Sequence, residues 1–329
     1  MLLMPLMRST PGFWMLEWRK HTSLTRTPTG TTALGMTNGV VAGSREYVGR
    51  SCGGTAHARV SRSVESAIHT RNDRVDGMKT VGIVAHSFEG GALCFLSACR
   101  EGAVHLGPHM HPRIVLSAVP LGLSLPGWQR GDHALVERYL REGVRQVADA
   151  GADFYICPAN TAHIVLEAIA DDLPIPGLSI TDVVCHEIAC NGWKRVGLLG
   201  TSYTMTGPVY ARALGDRDLD LLIPDDGMRE RLNAAIFDEL CRGIFTTETT
   251  DLFVRAIADL GSAGAECVIL GCTEIPLIIS DANSPLPALD STRLLASYAV
   301  REAVNERPLG QRTGWLPVEQ VARALESSQ

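Results

Sequence analysis

From Met78 onward, short apolar runs alternate with stretches in which apolar positions recur every three or four residues. This is the pattern of strands each followed by a helix that packs back on a parallel sheet. Val81 to Ala85 reads as a buried strand. Between Asp132 and Ala150, Leu135, Val136, Tyr139, Leu140, Val144 and Val147 fall on one helical face, and Phe154 to Cys157 follows as a strand. The same grammar returns later: Val196 to Gly200 as a strand, Thr250 to Leu260 as a helix with Leu252, Phe253 and Ile257 inward, and Cys267 to Leu270 as a strand.

The recurrence extends to residues. Lys79-Thr-Val-Gly-Ile-Val-Ala-His-Ser87 aligns with Lys194-Arg-Val-Gly-Leu-Leu-Gly-Thr-Ser202 at an offset of 115, and Ala150-Gly-Ala-Asp-Phe-Tyr-Ile-Cys-Pro-Ala-Asn-Thr161 aligns with Ala263-Gly-Ala-Glu-Cys-Val-Ile-Leu-Gly-Cys-Thr-Glu274 at 113. Two matches in the same order predict a duplicated α/β fold with two similar parallel sheets. The expected division is 78–187 for the first unit, completed by a helix at about 291–306, and 188–290 for the second. Ligands of parallel α/β sheets bind beyond the carboxyl ends of the strands. If the halves face each other, the cleft between them is lined by the segments that follow the four matched strands: His86 to Glu89, Ala159 to His163, Thr201 to Thr204 and Cys272 to Glu274.

Residues 1–77 break this pattern. Arg8, Arg19, Arg26, Arg45, Arg50, Arg59 and Arg62 stand against few acids, with no sustained period of 2 or 3.6. A transit peptide has such a composition, but the reading adopted is a disordered or non-native extension, with the native chain starting at Met78. The opening MLLMPLM is too short for a signal core, and nothing later offers about 18 uninterrupted apolar residues, so no membrane segment is expected.

Composition narrows the partners. A chain of 329 residues, 45% hydrophobic and 20% charged, suits a globular protein of about two domains rather than a disordered one. A net charge of -6 provides no basic field for nucleic acid or anionic lipid, which leaves a small molecule. Nine cysteines without doubled CxxC spacing read as reduced thiols of a cytoplasmic protein. His109-x-His111 lacks a third ligand at useful spacing, so no metal is expected. Lysine occurs only at positions 20, 79 and 194, and Lys79 and Lys194 precede strands, at the end opposite the cleft; a pyridoxal phosphate Schiff base is therefore not expected.

The motifs Cys157-Pro-Ala-Asn-Thr-Ala-His163, Gly197-Leu-Leu-Gly-Thr-Ser-Tyr-Thr204, Gly271-Cys-Thr-Glu-Ile-Pro276 and Leu289-Asp-Ser-Thr292 together resemble the aspartate/glutamate racemase superfamily over about residues 78–304. The resemblance implies two like domains related by a pseudo-twofold, a site between them, a homodimer and no cofactor. It also implies two cysteines flanking the substrate Cα, one removing a proton and the other returning it to the opposite face. Cys272 occupies the second cysteine position. Ala159 stands where the first should be, and the internal repeat independently pairs Ala159 with Cys272. Cys157 lies two residues early and reads as a buried strand cysteine.

Cys272 is the expected acid/base, at a strand end where a following helix would lower the thiol pKa. Asn160, Thr161 and Thr273 would donate to the substrate carboxylate as it becomes an enediolate. His86, Ser87, Glu89, Ala162, Thr201, Ser202, Thr204 and Glu274 complete the expected substrate contacts, and Asp290 caps the next helix. His163, Cys157 or an ordered water would have to serve the face left by Ala159, with His163 entered as the second catalytic residue and a packed role as its alternative. Three functions follow: a cofactor-independent racemase of aspartate, glutamate or a related acid; a one-face decarboxylase resembling arylmalonate decarboxylase; and a carboxylate-binding protein that has lost catalysis.

Overall fold

A computed structural model describes residues 77–309 and 313–323. The expectation for residues 1–77 lies outside the described residues, Gly77 excepted. The chain forms two four-stranded, all-parallel sheets. The first contains β1 (Val81–Ala85), β2 (Ile114–Ala118), β3 (Phe154–Ile156) and β4 (Gly177–Leu178), in the order β2-β1-β3-β4. The second contains β5 (Arg195–Gly200), β6 (Asp220–Leu222), β7 (Cys267–Gly271) and β8 (Ala288–Asp290), in the order β6-β5-β7-β8. The two orders are the same, and the pairing of Val81 with Phe154 is repeated by that of Val196 with Cys267. The central strands are buried on both faces, which is why they read as unbroken apolar runs rather than alternating ones.

The helices are α1 (Phe88–Leu106), α2 (Leu121–Arg130), α3 (His133–Asp149), α4 (His163–Ile169), α5 (Ile180–Asn191), α6 (Ser202–Thr206), α7 (Pro208–Gly215), α8 (Asp226–Asp238), α9 (Thr247–Ser262), α10 (Ser291–Val304) and α11 (Val318–Ala322). Local signals set several starts. The side chains of Asp132, Thr246 and Asp290 each accept the N–H three residues on, capping α3, α9 and α10. The helix after β3 begins at His163 rather than near Asn160, because residues 160–162 form a turn first.

Two helices bind the halves together. In α5, Ile180 and Val183 enter the core of the first sheet while Val184, Cys185 and Ile188 enter that of the second. The chain leaves the second sheet at β8, yet α10 packs Leu295, Ala296, Tyr298, Ala299, Val300 and Ala303 among Val81, Ile83, Phe154 and Ile156. Lys79 secures that return: its Nζ lies 3.1 Å from Oε1 of the fully buried Glu302. Among the described residues, no helix is long and apolar enough to cross a membrane.

In each sheet the chain runs from the central strand to one side and then crosses to the other. The switch point lies between β1 and β3 in one half and between β5 and β7 in the other, where a crevice opens at the strand carboxyl ends.

Candidate active site

The four turns at these switch points meet at one cleft enclosing about 540 Å³ of empty space, its open mouth included. His86 and Ser87 come from the end of β1, residues 159–162 from the end of β3, Thr201 from β5, and residues 271–274 from β7. Ser87 caps α1 by accepting from the Gly90 N–H at 3.3 Å, and its hydroxyl stands 3.5 Å from that of Thr273, so the start of α1 lies against the β7 turn. A Cβ at Gly90 would clash with the Thr273 side chain; this close approach accounts for glycine there. The main-chain N–H groups of Thr161 and Thr273 make no hydrogen bond among the described residues, and both residues line the cleft.

Cys272 lies at the cleft, 8% exposed. Its thiol donates to Glu274 Oε2 at 3.0 Å, and the Thr273 hydroxyl donates to the same oxygen at 2.8 Å. Burial, followed by the Glu274 charge, pushes the Cys272 thiol well above its ordinary range. This corrects the expected helix-lowered pKa. The element that follows is a three-residue 3-10 turn, Ile275–Leu277, and a buried carboxylate faces the sulfur, so the resting group is the thiol. Cys241, from the 3-10 turn Leu240–Arg242, also lines the cleft, and its thiol is raised by burial and by the same carboxylate.

His86 is 5% exposed, and burial pulls it down to about 4, so the ring is neutral at pH 7. Its Nε2 is buried without a hydrogen-bond partner. Glu274 Oε1 is the second unpartnered buried polar atom on the cleft wall.

His163 occupies a different environment. It is fully buried and stacked on Trp315 at 5.5 Å; Nδ1 donates to the Ala159 carbonyl at 3.1 Å and Nε2 accepts from the Ile180 N–H at 3.2 Å. Both nitrogens are occupied, burial holds the ring near a pKa of about 4, and the residue is not part of the cleft lining, so the structure gives it a packing role that fixes the Ala159 turn. The Asn160 side chain likewise points away from ligand duty: Nδ2 donates to Ser291 Oγ at 3.0 Å and Oδ1 accepts from Tyr210 at 2.7 Å. The expected amide donor is thus a tie between elements.

Thr161, Thr201 and Thr204 form a hydroxyl cluster spanning the halves, with contacts of 3.0, 2.8 and 3.1 Å; Thr161 and Thr201 line the cleft, while Thr204 is buried behind them. Ser202 faces a wider outer volume, and Glu89 lies against Gly243 rather than on the cleft wall. Ala159 and Ala162 do line the cleft. Cys157 is wholly buried, its thiol pushed up to about 12 by desolvation.

Sequence reading missed Cys241 and the apolar wall formed by Leu121, Trp128, Tyr203, Ile236 and Phe237. Tyr203 falls within the 197–204 motif but was given no role there; the others belong to no motif, and such side chains look like any core position. Among the described residues, no group of three or more His, Cys, Asp or Glu side chains is arranged to hold a metal.

Residues 91–299 match the profile of the Asp/Glu/Hydantoin racemase family. A broad specificity amino-acid racemase, RacX, of Bacillus subtilis is 26% identical over 171 residues, 51% of this chain and 73% of its own length. Among solved structures, a provisionally assigned Asp/Glu racemase from Yersinia pestis aligns with a TM-score of 0.62 at 30% identity, covering 69% of this chain and 100% of that one. An aspartate racemase homologue from Pyrococcus horikoshii aligns at 0.58 and 28% identity, covering 69% and 99%.

Proposed function

The chain belongs to the Asp/Glu/hydantoin racemase family, and from that premise we propose that it is a cofactor-independent amino-acid racemase that moves a proton at the carbon α to a carboxylate. The observation that carries this reading is Cys272, hydrogen-bonded to Glu274, on a cleft also lined by His86, whose Nε2 has no partner; burial favours the neutral form of both groups. The two groups rest in complementary states, one ready to give a proton and the other ready to take one. The named activity of the Bacillus subtilis relative supports the substrate class.

In this mechanism His86 Nε2 takes the α-proton, and the C–H electron pair spreads into the substrate carboxylate as an enediolate. The N–H groups of Thr161 and Thr273 stabilise the growing charge. Cys272 then delivers its proton to the opposite face of Cα, leaving a thiolate and an imidazolium, the state that runs the reaction from the other enantiomer. Glu274, 3.0 Å from the sulfur, is placed to exchange the thiol proton.

A second reading rests on Ala159, which offers no acid on its side of the cleft. Loss of carbon dioxide from a malonate would also leave an enediolate, and Cys272 alone could protonate it. Proton NMR of the full-length protein in deuterated water, with amino acids and malonates, separates the readings. A racemase places deuterium in both enantiomers; a one-face decarboxylase releases carbon dioxide and leaves a single-handed product. Turnover in either case should fall by at least about 10²–10⁴-fold in Cys272→Ala, with an unchanged circular dichroism spectrum, and nearly as far in Cys272→Ser. Wild-type rates in the alanine variant would remove Cys272 from the chemistry.

A further inference from the structure

The cleft discriminates among the substituents that the reacting carbon can carry. Above the strand-end turns its wall is made by Leu121 and Trp128 of α2, Tyr203 of α6, and Ile236 and Phe237 of α8. Trp128 and Tyr203 approach with ring centroids 6.0 Å apart, so an aromatic from each half closes over the same space. Among the described residues, no arginine or lysine lines this cleft. Arg242 borders the outer volume, which shares Leu121, Tyr203, Phe237 and Cys241 with the cleft, and Asp238 stands there beside it. A second carboxylate on the substrate would shed its water in the inner cleft, meet no cation and face the charge of Glu274.

The polar end of the cleft is equally selective. Glu274 Oε2 is already engaged by Cys272 and Thr273, while Oε1 is buried and unpartnered; the Cys241 thiol, a weak donor, lies beside the carboxylate and is raised by it. A buried acceptor of this kind is costly until a donor reaches it. An α-ammonium is such a donor, and a malonate carries none.

We propose that the cleft selects monocarboxylic α-amino acids with apolar or aromatic side chains, the ammonium on Glu274 Oε1 and the side chain against Trp128, Tyr203, Ile236 and Phe237. Aspartate, glutamate and malonates are disfavoured. The inference rests on the reading that chemistry takes place at a carbon α to a carboxylate beside Cys272, and it specifies that carbon's other substituents.

The test measures binding and α-proton exchange separately on the full-length protein, using phenylalanine, leucine, aspartate, glutamate and phenylmalonate. Phenylalanine or leucine should bind, by calorimetry, at least about tenfold more tightly than aspartate or glutamate, the scale expected for burying one such side chain. Exchange rates should follow the same order. Phe237→Arg, at a half-buried position, should narrow or reverse the preference by supplying the missing cation. Tighter binding of phenylalanine without exchange would support the selection while defeating the racemase reading. Preference for aspartate or glutamate would overturn the selection and leave the racemase reading standing. Binding of phenylmalonate alone, or of none of the five, would overturn the selection outright.

Discussion

Burial acts alike on His86 and His163, pulling both to about 4, but leaves them different tasks. His163 has both nitrogens occupied and holds the Ala159 carbonyl; His86 lines the cleft with its Nε2 buried and unpartnered. Both contribute to stability in the same direction. Between the ordinary value of 6.5 and about 4, the unfolded chain binds a proton on each ring and the folded chain does not. The stability each neutral ring confers is therefore present above 6.5 and lost as pH falls towards 4, roughly 3 kcal/mol per histidine. Urea unfolding across that window should give His163→Gln a slope shallower than wild type by about one proton. Equal slopes would mean that His163 charges in place. At Cys272 burial acts first and the Glu274 carboxylate adds to it, both raising the thiol.

Among the elements, α1 brings the first half against the turn that carries Cys272. Its cap, Ser87, reaches towards Thr273, and Gly90 sits beneath the turn that carries Cys272. Gly90→Ala would improve the helix by about 1 kcal/mol in propensity. It would also push Thr273, and with it the hydrogen bonds that Glu274 shares with Cys272. The strain of such overpacking is about 1–3 kcal/mol. The expected result is a melting temperature within a few degrees of wild type and a kcat/KM at least about tenfold lower, because small misplacements at a reacting centre cost rate more than stability. Wild-type kcat/KM in Gly90→Ala would show that the β7 turn gives way without consequence.

At the scale of the whole molecule, the internal repeat pairs Ala159 with Cys272, and both residues line the same cleft. His86→Ala should lose about 10² or more in racemisation if its ring serves the second face. Adding Ala159→Cys to that variant should restore part of the loss by placing a thiol on the first half's turn. No recovery in a double variant that still binds ligand would mean that Ala159 does not project to the face His86 serves. The four central strands, a parallel sheet in each half, the duplication and the turns that follow those strands were legible in the sequence, because each depends on local periodicity, on capping residues or on similarity between two segments of one chain; the outer strands β2, β4, β6 and β8 were not read. The seam between the halves was not. Thr161 meets Thr201 and Thr204 across it, and Asn160 reaches Ser291, 131 positions away. By itself the sequence determined a two-sheet parallel α/β fold and singled out Cys272 as the candidate acid/base on which the proposed chemistry rests. Only the tertiary structure decided that burial and Glu274 raise the Cys272 thiol, that His163 is packed and Asn160 tied between elements, that His86 and Glu274 each hold a buried atom without a partner, and that the cleft wall is apolar. Protonation and hydrogen-bond satisfaction are set by desolvation and by partners distant in sequence, and no residue's neighbours along the chain reveal them.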